Sequence, residues 1–425
     1  MTLLVLFSIF VLFMFLGMPV AFAMGIASLA ALIGTMDVPL LIVPQRLFAS
    51  VNSFTLMAVP FFILAGYLMN SSGITKRLVN FARTLVGHLT GGLAQTNVLT
   101  SMFFAGISGS ASADAAALGS TLIPAMKRDG YSASFSAAVT AASATIGPII
   151  PPSIVLVIYG SMTELSIGEL FVAGIIPGVL IGIAQMVIVY IYAKKRNYKS
   201  ENKVPFSEVI QKLKEAFWAL IAPIVILGGI LSGIFTATEA GVIACVYCFI
   251  IGAFVYKEIR IKDIRKIFLD ATVMTSVPII ILGVASIFGW ILANQQFSST
   301  IVNWISNVTS NPNIILLIVI LLLLLVGLFI EAMAAMIIFI PVLTPLVTTF
   351  GWDPIHFGLI FVVTMLIGTV TPPVGIQLYI AASIAKVRVS KINEIWAFVL
   401  AMIIILLLIA YIPPLTIFLP NLLLS

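Results

Sequence analysis

Apolar runs long enough to cross a bilayer recur roughly every 30 to 40 positions from one end of the chain to the other, separated by short polar connections, and about 20 such residues make one spanning helix. The pattern predicts an all-α polytopic membrane protein. Two stretches do not fit simple crossings. Residues 93–126 lie between two connections rich in Lys and Arg, and residues 313–349 lie between two connections that have none, so each must enter the membrane and return to its own side. These are expected to be re-entrant helical hairpins, with tips at Gly106-Ile107-Ser108-Gly109-Ser110 and Gly327-Leu328-Phe329-Ile330-Glu331. Backbone that leaves helical geometry at membrane depth must be buried in protein or line a wet cavity.

Composition supports this reading. Of 425 residues, 61% are hydrophobic and 8% charged, where a soluble domain carries about 25% charged residues. The formal charge of +6 reports topology rather than a nucleic-acid partner, because the basic residues sit in short loops: Lys76, Arg77 and Arg83; Lys127 and Arg128; Lys194, Lys195, Arg196 and Lys199; Lys257 through Lys266; Lys386, Arg388 and Lys391. By the positive-inside rule these loops are cytoplasmic, and the connections 163–169, 294–312 and 350–354, which carry Glu164, Glu169 and Asp353 but no Lys or Arg, face outward. The N-terminus has no basic n-region and reads as a retained helix.

An internal repeat organises the chain. Gly147-Pro148-Ile149-Ile150-Pro151-Pro152 matches Gly368-Thr369-Val370-Thr371-Pro372-Pro373, and the same spacing superimposes Gly106 on Gly327, Ala111 on Ala332, Pro124 on Pro345 and Gly130 on Gly351 without a gap. One hairpin is anchored inside and the other outside, so the repeat is inverted, the plan of secondary transporters. Residues 1–193 form the first repeat, with hairpin 93–126 and broken helix 131–162. Residues 217–425 form the second, with hairpin 313–349 and broken helix 355–385. The basic segment 194–216 is read as a linker with a surface helix, given Val209, Leu213 and Phe217 at helical spacing. The Gly17-Met18-Pro19 break divides residues 3–16 from 18–34 and has its repeat partner near Thr238-Glu239.

Tandem prolines remove two donors and bar helical geometry from the residue before them, leaving carbonyls of the preceding turn free to coordinate a hard cation, while the opposing half-helix N-terminus favours an anion. Ser108, Ser110, Ser112, Thr145, Thr369 and Thr371 are oxygen donors near these breaks. For Asp114 and Glu331 two readings stand: ion or proton coupling at membrane depth, or local capping and pairing within the hairpin. Glu239 reads as an N-terminal helix residue, His88 and His356 as interface or packing residues, and Cys245 and Cys248 as packing residues within an apolar helix. No pair of His or carboxylate residues has transition-metal spacing, and there is no Walker motif.

On the residues Gly106 to Ala111 with Asp114, Gly147 to Ser153, and Gly368 to Gly375, the chain resembles the large membrane subunit of the tripartite ATP-independent periplasmic (TRAP) transporters over essentially its whole length. The resemblance implies an inverted-repeat, elevator-type carrier of the bacterial inner membrane. It would be driven by sodium and work with a small four-helix membrane subunit and a periplasmic protein that captures a carboxylate such as a C4-dicarboxylate or sialic acid. It also implies one sodium site where Gly106, Ser108, Gly109 and Ser110 face Gly147, Pro148 and Ile150, and a second where Gly327 and Glu331 face Gly368, Thr369 and Thr371. Substrate would meet Ser108, Ser110, Ser112, Asp114, Thr145, Pro151, Pro152, Pro372 and Pro373. Neither hairpin core holds Lys or Arg, so helix N-termini and serine hydroxyls would have to hold the anion. Three other readings compete. A stand-alone sodium/divalent-anion symporter shares the hairpin plan. An intramembrane serine protease would use Ser108 of Gly106-Ile107-Ser108-Gly109 with a histidine. A structural scaffold leaves the repeat unexplained.

Overall fold

The computed structural model describes residues 1–424, and the side chains of all of these except 107 and 305–308. Every long element is a helix, and no strand occurs among the described residues. Among the described residues, five helices are individually long and apolar enough to cross a membrane, and two bent pairs qualify when each is taken as one span.

The chain opens with α1 (Thr2–Phe15) and α2 (Val20–Thr35), packed as a pair about the break at Gly17, where φ is +80°. Glycine adopts that left-handed conformation at little cost. α3 (Ile42–Val51) meets α4 (Ala58–Ser71) at a 62° bend, and the amphipathic α5 (Ile74–Val86) follows. α6 (Gly92–Ser108) and α7 (Ala111–Arg128) form a helical hairpin, and α8 (Ala133–Ala144) and α9 (Ile154–Thr163) flank the first double-proline break. α10 (Ile167–Lys195) closes the first half.

α11 (Phe206–Leu231) corrects the expected linker. The helix begins inside the basic segment and runs without interruption into an apolar span, so Val209, Leu213 and Phe217 lie on the surface end of a long helix rather than on a separate one. Pro205, which precedes the first turn, starts this helix where a missing N–H costs nothing. α12 (Ala237–Ile250) starts with a capping box in which Thr236 accepts from Glu239 N and Glu239 accepts from Thr236 N, the N-terminal role expected for Glu239. α13 (Ile261–Asn294) is the longest helix described. The connection that follows it holds an amphipathic helix, α14 (Phe297–Val308), where the apolar pattern had suggested only a loop. The second half then repeats the first: hairpin α15 (Pro312–Gly327) and α16 (Ala332–Phe350), then α17 (Pro354–Gly368) and α18 (Ile376–Ala385) about the second break, then α19 (Ile395–Tyr411) and α20 (Pro414–Leu423).

The repeat extends to the helix caps. Ser132 and Asp353 occupy equivalent positions and cap α8 and α17, accepting from Phe135 N (3.2 Å) and His356 N (2.8 Å). Gly130 and Gly351 both turn the chain with positive φ ahead of those caps, and the Pro151–Pro152 and Pro372–Pro373 bonds at the two breaks are both cis. All of Ile355 to Gly368 in α17 is buried.

Lipid offers no hydrophobic drive between helices, so close approach through small residues supplies the packing. On α10, Gly174, Gly178 and Gly182 form one stripe. A Cβ added there would strike the Ile149 carbonyl, the Ile150 side chain and the Met102 sulfur respectively. That stripe cradles the first break and α6 together.

At the basic-loop end, Glu394 ties three elements together. It hydrogen-bonds Ser134 of α8 and pairs with Arg196, which follows α10, at 2.7 Å. Burial pushes the Glu394 carboxyl up, but the hydrogen bonds from Ser134 and Arg196 outweigh it and hold the group below the ordinary carboxylate range.

Candidate functional site

Each hairpin turns within a few residues, and in each the second helix is capped by a side chain from the turn. Ser110 accepts from Ala113 N at 3.5 Å, a long bond. Its repeat partner Glu331 accepts from Met333 N (3.0 Å) and Ala334 N (3.2 Å), satisfying two N-terminal donors with one carboxylate. Of the two readings for Glu331, capping is therefore seen directly. Gly109, with φ +59°, makes the first turn possible.

Each tip packs against the double-proline break of its own half. A Cβ on Gly109 would lie 2.9 Å from the Pro152 carbonyl and 3.0 Å from Ile154 N, and one on Gly327 would lie 3.1 Å from Gly368 Cα. Asp114 is fully buried one turn into α7. One of its oxygens accepts from Ser108, while Oδ2 has no hydrogen-bond partner among the described residues and abuts Gly147 at the break. Within the breaks, the carbonyls of Gly147 and Ile150 and those of Val370 and Thr371 accept no hydrogen bond among the described residues. Free carbonyls, a serine hydroxyl and an orphaned carboxylate oxygen are the hard oxygen donors that an alkali or alkaline-earth cation takes.

A cavity of about 520 Å³ joins the two halves. It is lined by Ser108 to Ala113 of the first tip, Glu331 to Met333 of the second, Pro148, Ile154 and Val155 beside the first break, and Leu366 and Gln377 beside the second. It continues along Ala116, Ala117, Ser120 and Thr121 of α7 to the exposed Asn70 and Lys76, so it opens on the side of that basic loop. Lys76 is its single basic residue and Glu331 its single acidic one. On the opposite wall α4 reaches the tip, its Gly66 lying against the Ser108 carbonyl.

Of the residues singled out from sequence, Ser108, Gly109, Ser110, Ser112, Pro148 and Glu331 line this one cavity. Gly106 is buried beneath the first tip against Pro223 of α11. Pro151 and Pro152 lie behind the tip, their carbonyls near Gly106 and Gly109. The others do not line the cavity. Thr145 donates to the Ala142 carbonyl at 2.7 Å and lies against the Met402 sulfur of α19, while Ile150 packs into α10 at Gly178. Thr369 and Thr371 donate to the Leu366 and Ile367 carbonyls, each at 2.6 Å, and Pro372 and Pro373 also stand outside the cavity lining. Each of these threonines gives its hydroxyl to a carbonyl of its own helix end.

Neither histidine lines this cavity: His88 lies beside Leu89 and Thr90 ahead of α6, and His356 is engaged elsewhere. His356 Nδ1 meets Thr416 Oγ1 at 2.7 Å and Nε2 meets the Ala410 carbonyl at 3.2 Å, whereas the Ser108 hydroxyl is given to Asp114. That removes the serine–histidine pair a protease requires.

Sequence reasoning missed two groups. Asn97 of α6 donates to Thr140 Oγ1 (2.7 Å) and accepts from Ser143 (3.3 Å), a fully buried polar link between the hairpin and α8. Gln377 of α18 lines the cavity, 3% exposed, with Oε1 unpartnered. The one available signal was an amide side chain within a membrane helix.

Comparison with known proteins identifies relatives along nearly the whole chain. Residues 7–415 match the family described as tripartite ATP-independent periplasmic transporter, DctM component. The chain is 40% identical over 413 residues to the sialic acid TRAP transporter large permease protein SiaM of Vibrio cholerae, covering 97% of each. It is 35% identical over 438 residues to the C4-dicarboxylate TRAP transporter large permease protein DctM of Rhodobacter capsulatus, covering all of both. It is also 42% identical over 419 residues to the isethionate TRAP transporter permease protein DctMQ of Oleidesulfovibrio alaskensis, covering 97% of this chain and 66% of that one. Among solved structures, the YdaH transporter of Alcanivorax borkumensis shares the fold, with a TM-score of 0.68 at 13% identity over 96% of this chain and 97% of that one.

Proposed function

The chain belongs to the tripartite ATP-independent periplasmic transporter family as its DctM component, the large membrane subunit, and from that premise we propose that it imports a small carboxylate across the bacterial inner membrane by sodium symport. Membership makes it a multi-pass transporter subunit for an organic anion and sets aside the stand-alone symporter and scaffold readings. The observation that carries the rest is the pairing of two hairpin tips with two double-proline breaks around one cavity.

In this reading α6–α7 and α15–α16 are re-entrant hairpins, and sodium is a co-substrate held at each tip. At the first it meets the Gly147 and Ile150 carbonyls and the Ser108–Asp114 pair. At the second it meets the Val370 and Thr371 carbonyls behind Glu331. Asp114 Oδ2, buried and unpartnered, favours a cation nearby, because an uncompensated carboxylate at that depth is costly. The anion binds at the first tip. Glu331 already occupies two N-terminal donors of α16, whereas the N-terminus of α7 is capped only by a long bond from Ser110, which leaves its dipole and the Ser110 and Ser112 hydroxyls for a carboxylate. Sodium at the adjacent break then offsets the anion's charge, which couples the two fluxes. The hairpins and broken helices move together as an elevator between an outward state, loaded by a periplasmic binding protein, and the state described here, with the cavity open beside Lys76. The small membrane subunit braces the remaining helices.

The test is uptake in proteoliposomes holding this chain and its small membrane subunit, with labelled carboxylates, with and without a sodium gradient and the binding protein. Uptake that requires both is expected. Uptake unaffected by collapsing the sodium gradient overturns the coupling, and uptake indifferent to the binding protein overturns the tripartite delivery.

A further inference from the structure

A second recess lies on the outer face of the molecule, at its basic-loop end. There the loop 87–91 and the start of α6 pack against the last turns of α10. Gly91, with φ +80°, brings the loop so close that an added Cβ would lie 2.6 Å from Ala193 Cβ, and Gln95 Nε2 donates to the Met186 carbonyl at 3.0 Å. Beside these contacts runs a groove of about 530 Å³ whose walls include Leu89, Thr90, Ile183, Met186, Val187 and Tyr190. Ile183, Val187 and Tyr190 are each about half exposed, on a helix long and apolar enough to cross the membrane. At Thr90 the groove passes into a polar recess of about 470 Å³, lined also by Lys194, Asn197, Tyr198, Lys199 and Ser200. From Ile183 to Lys194 the helix rises roughly 16 Å, about the depth of one hydrocarbon leaflet.

The polar end carries uncommitted positive charge. Lys194 and Lys199 form no ion pair among the described residues, and no carboxylate lines either section. Glu201, next to Ser200, is engaged by Arg83, and Glu394 by Arg196. The inverted repeat supplies a comparison within the chain. α19 exposes Ile404, Leu408 and Tyr411 where α10 exposes Ile183, Val187 and Tyr190, so both helices present the same apolar face outward. Beyond that face the two part, because Lys194, Asn197 and Lys199 are answered by Leu415, Phe418 and Pro420. Positive-inside topology asks only that the loop hold basic residues. It does not gather two of them with hydroxyl and amide donors at the end of an apolar groove. We propose that this groove binds a phospholipid of net negative headgroup from the leaflet on the basic-loop side. An acyl chain lies along α10 from Ile183 to Tyr190, and the phosphate sits at Lys194 and Lys199, whose ammonium groups suit it as point charges. Thr90, Asn197 and Ser200 can donate to the remaining headgroup oxygens.

The test is native mass spectrometry of the purified, delipidated complex of this chain with its small membrane subunit. Phosphatidylglycerol and phosphatidylethanolamine of identical acyl chains are titrated in, so no readout depends on transport. Wild type should retain phosphatidylglycerol about tenfold or more tightly than phosphatidylethanolamine, since each lysine at an anionic headgroup contributes about fivefold. The double variant Lys194→Gln, Lys199→Gln should bring the two lipids to within about threefold. Val187→Trp fills the apolar section and should weaken both lipids alike. Lys214→Gln, at an exposed lysine of α11 outside the groove, should leave the preference unchanged. All four substitutions fall at exposed positions, and thermal unfolding before lipid is added confirms that each variant is folded. Equal retention of both lipids by wild type overturns the assignment. So does a preference that survives the double lysine variant, or one that falls as far in Lys214→Gln, because the selectivity would then belong to the basic surface at large. Unchanged binding in Val187→Trp overturns the acyl path. Displacement of the lipid by millimolar glycerol phosphate would overturn the lipid assignment in favour of a soluble phosphate compound.

Discussion

The two hairpins share a register but not a chemistry. Where the first places Ser108, Ser110 and Asp114, the second places Phe329, Glu331 and Ala335 at the equivalent positions. The first tip keeps a carboxylate deep in the protein, half-paired, and leaves the start of α7 weakly capped. The second keeps its carboxylate at the turn, where it caps α16 twice. The glycines at the breaks follow the same division. Gly147 makes room for the Asp114 side chain, whereas Gly368 makes room for the backbone of Gly327. Duplication supplied one scaffold twice. In our reading the first half specialised towards binding the anion and the second towards a self-satisfied tip with a cation beneath it.

The largest effect expected from breaking this comparison is at the breaks. Gly368→Ala places a Cβ 2.5–2.7 Å from Gly327 Cα, C and O. Backbone cannot swing aside, so loss of folded, monodisperse protein is expected in detergent extracts. Gly147→Ala meets the Asp114 carboxylate instead, an overpacking of about 1–3 kcal/mol. The double variant Gly147→Ala, Asp114→Ala should recover most of the melting temperature, and a failure to recover would show that backbone crowding dominates in both halves. Next in size, Ser108→Ala strips Asp114 of its hydrogen bond and should lower unfolding free energy by roughly 1–3 kcal/mol. Its counterpart Phe329→Ala, 57% exposed, should change it by less than about 0.5 kcal/mol. Equal losses would erase the distinction between the tips. Smallest are the caps. Glu331→Ala should cost about 1 kcal/mol and Ser110→Ala a few tenths, read by denaturant titration of the purified complex, and the reverse order would place the working cap on the first hairpin.

How much of this was legible in the sequence depended on what the backbone alone decides. Helix ends, hairpin turns and breaks are set by Gly, Pro and capping residues, and the ungapped repeat fixed them twice, so α7 and α16, or α9 and α18, begin where Ser110 and Glu331, or Pro152 and Pro373, required. Direction around a helix was less accessible. Thr145 and Ile150 lie in the right segment but pack towards α19 and α10, because the glycine stripe of α10 draws that side of the break away from the cavity. Repeat symmetry gave no warning, since α19 carries Ile395, Val399 and Ile403 where α10 carries Gly174, Gly178 and Gly182. Gln377 was invisible for the opposite reason: it belongs to no motif, and only its place in the cavity lining marks it.

The complete enclosure of α17 bears on how the chain is made. A helix whose residues Ile355 to Gly368 all face protein never meets lipid in the finished molecule, yet it carries hardly any polar side chain. Packing against neighbours does not demand that, since the buried face of α6 tolerates Gln95, Thr96, Asn97, Thr100 and Ser101. Entry into the bilayer during synthesis does, because there each Leu, Ile, Phe or Val contributes about −0.3 to −0.6 kcal/mol at mid-helix before any partner has arrived. The hydrophobicity of α17 thus serves the moment of insertion. Polar substitutions along it should be felt first as failed biogenesis rather than as an altered transport cycle.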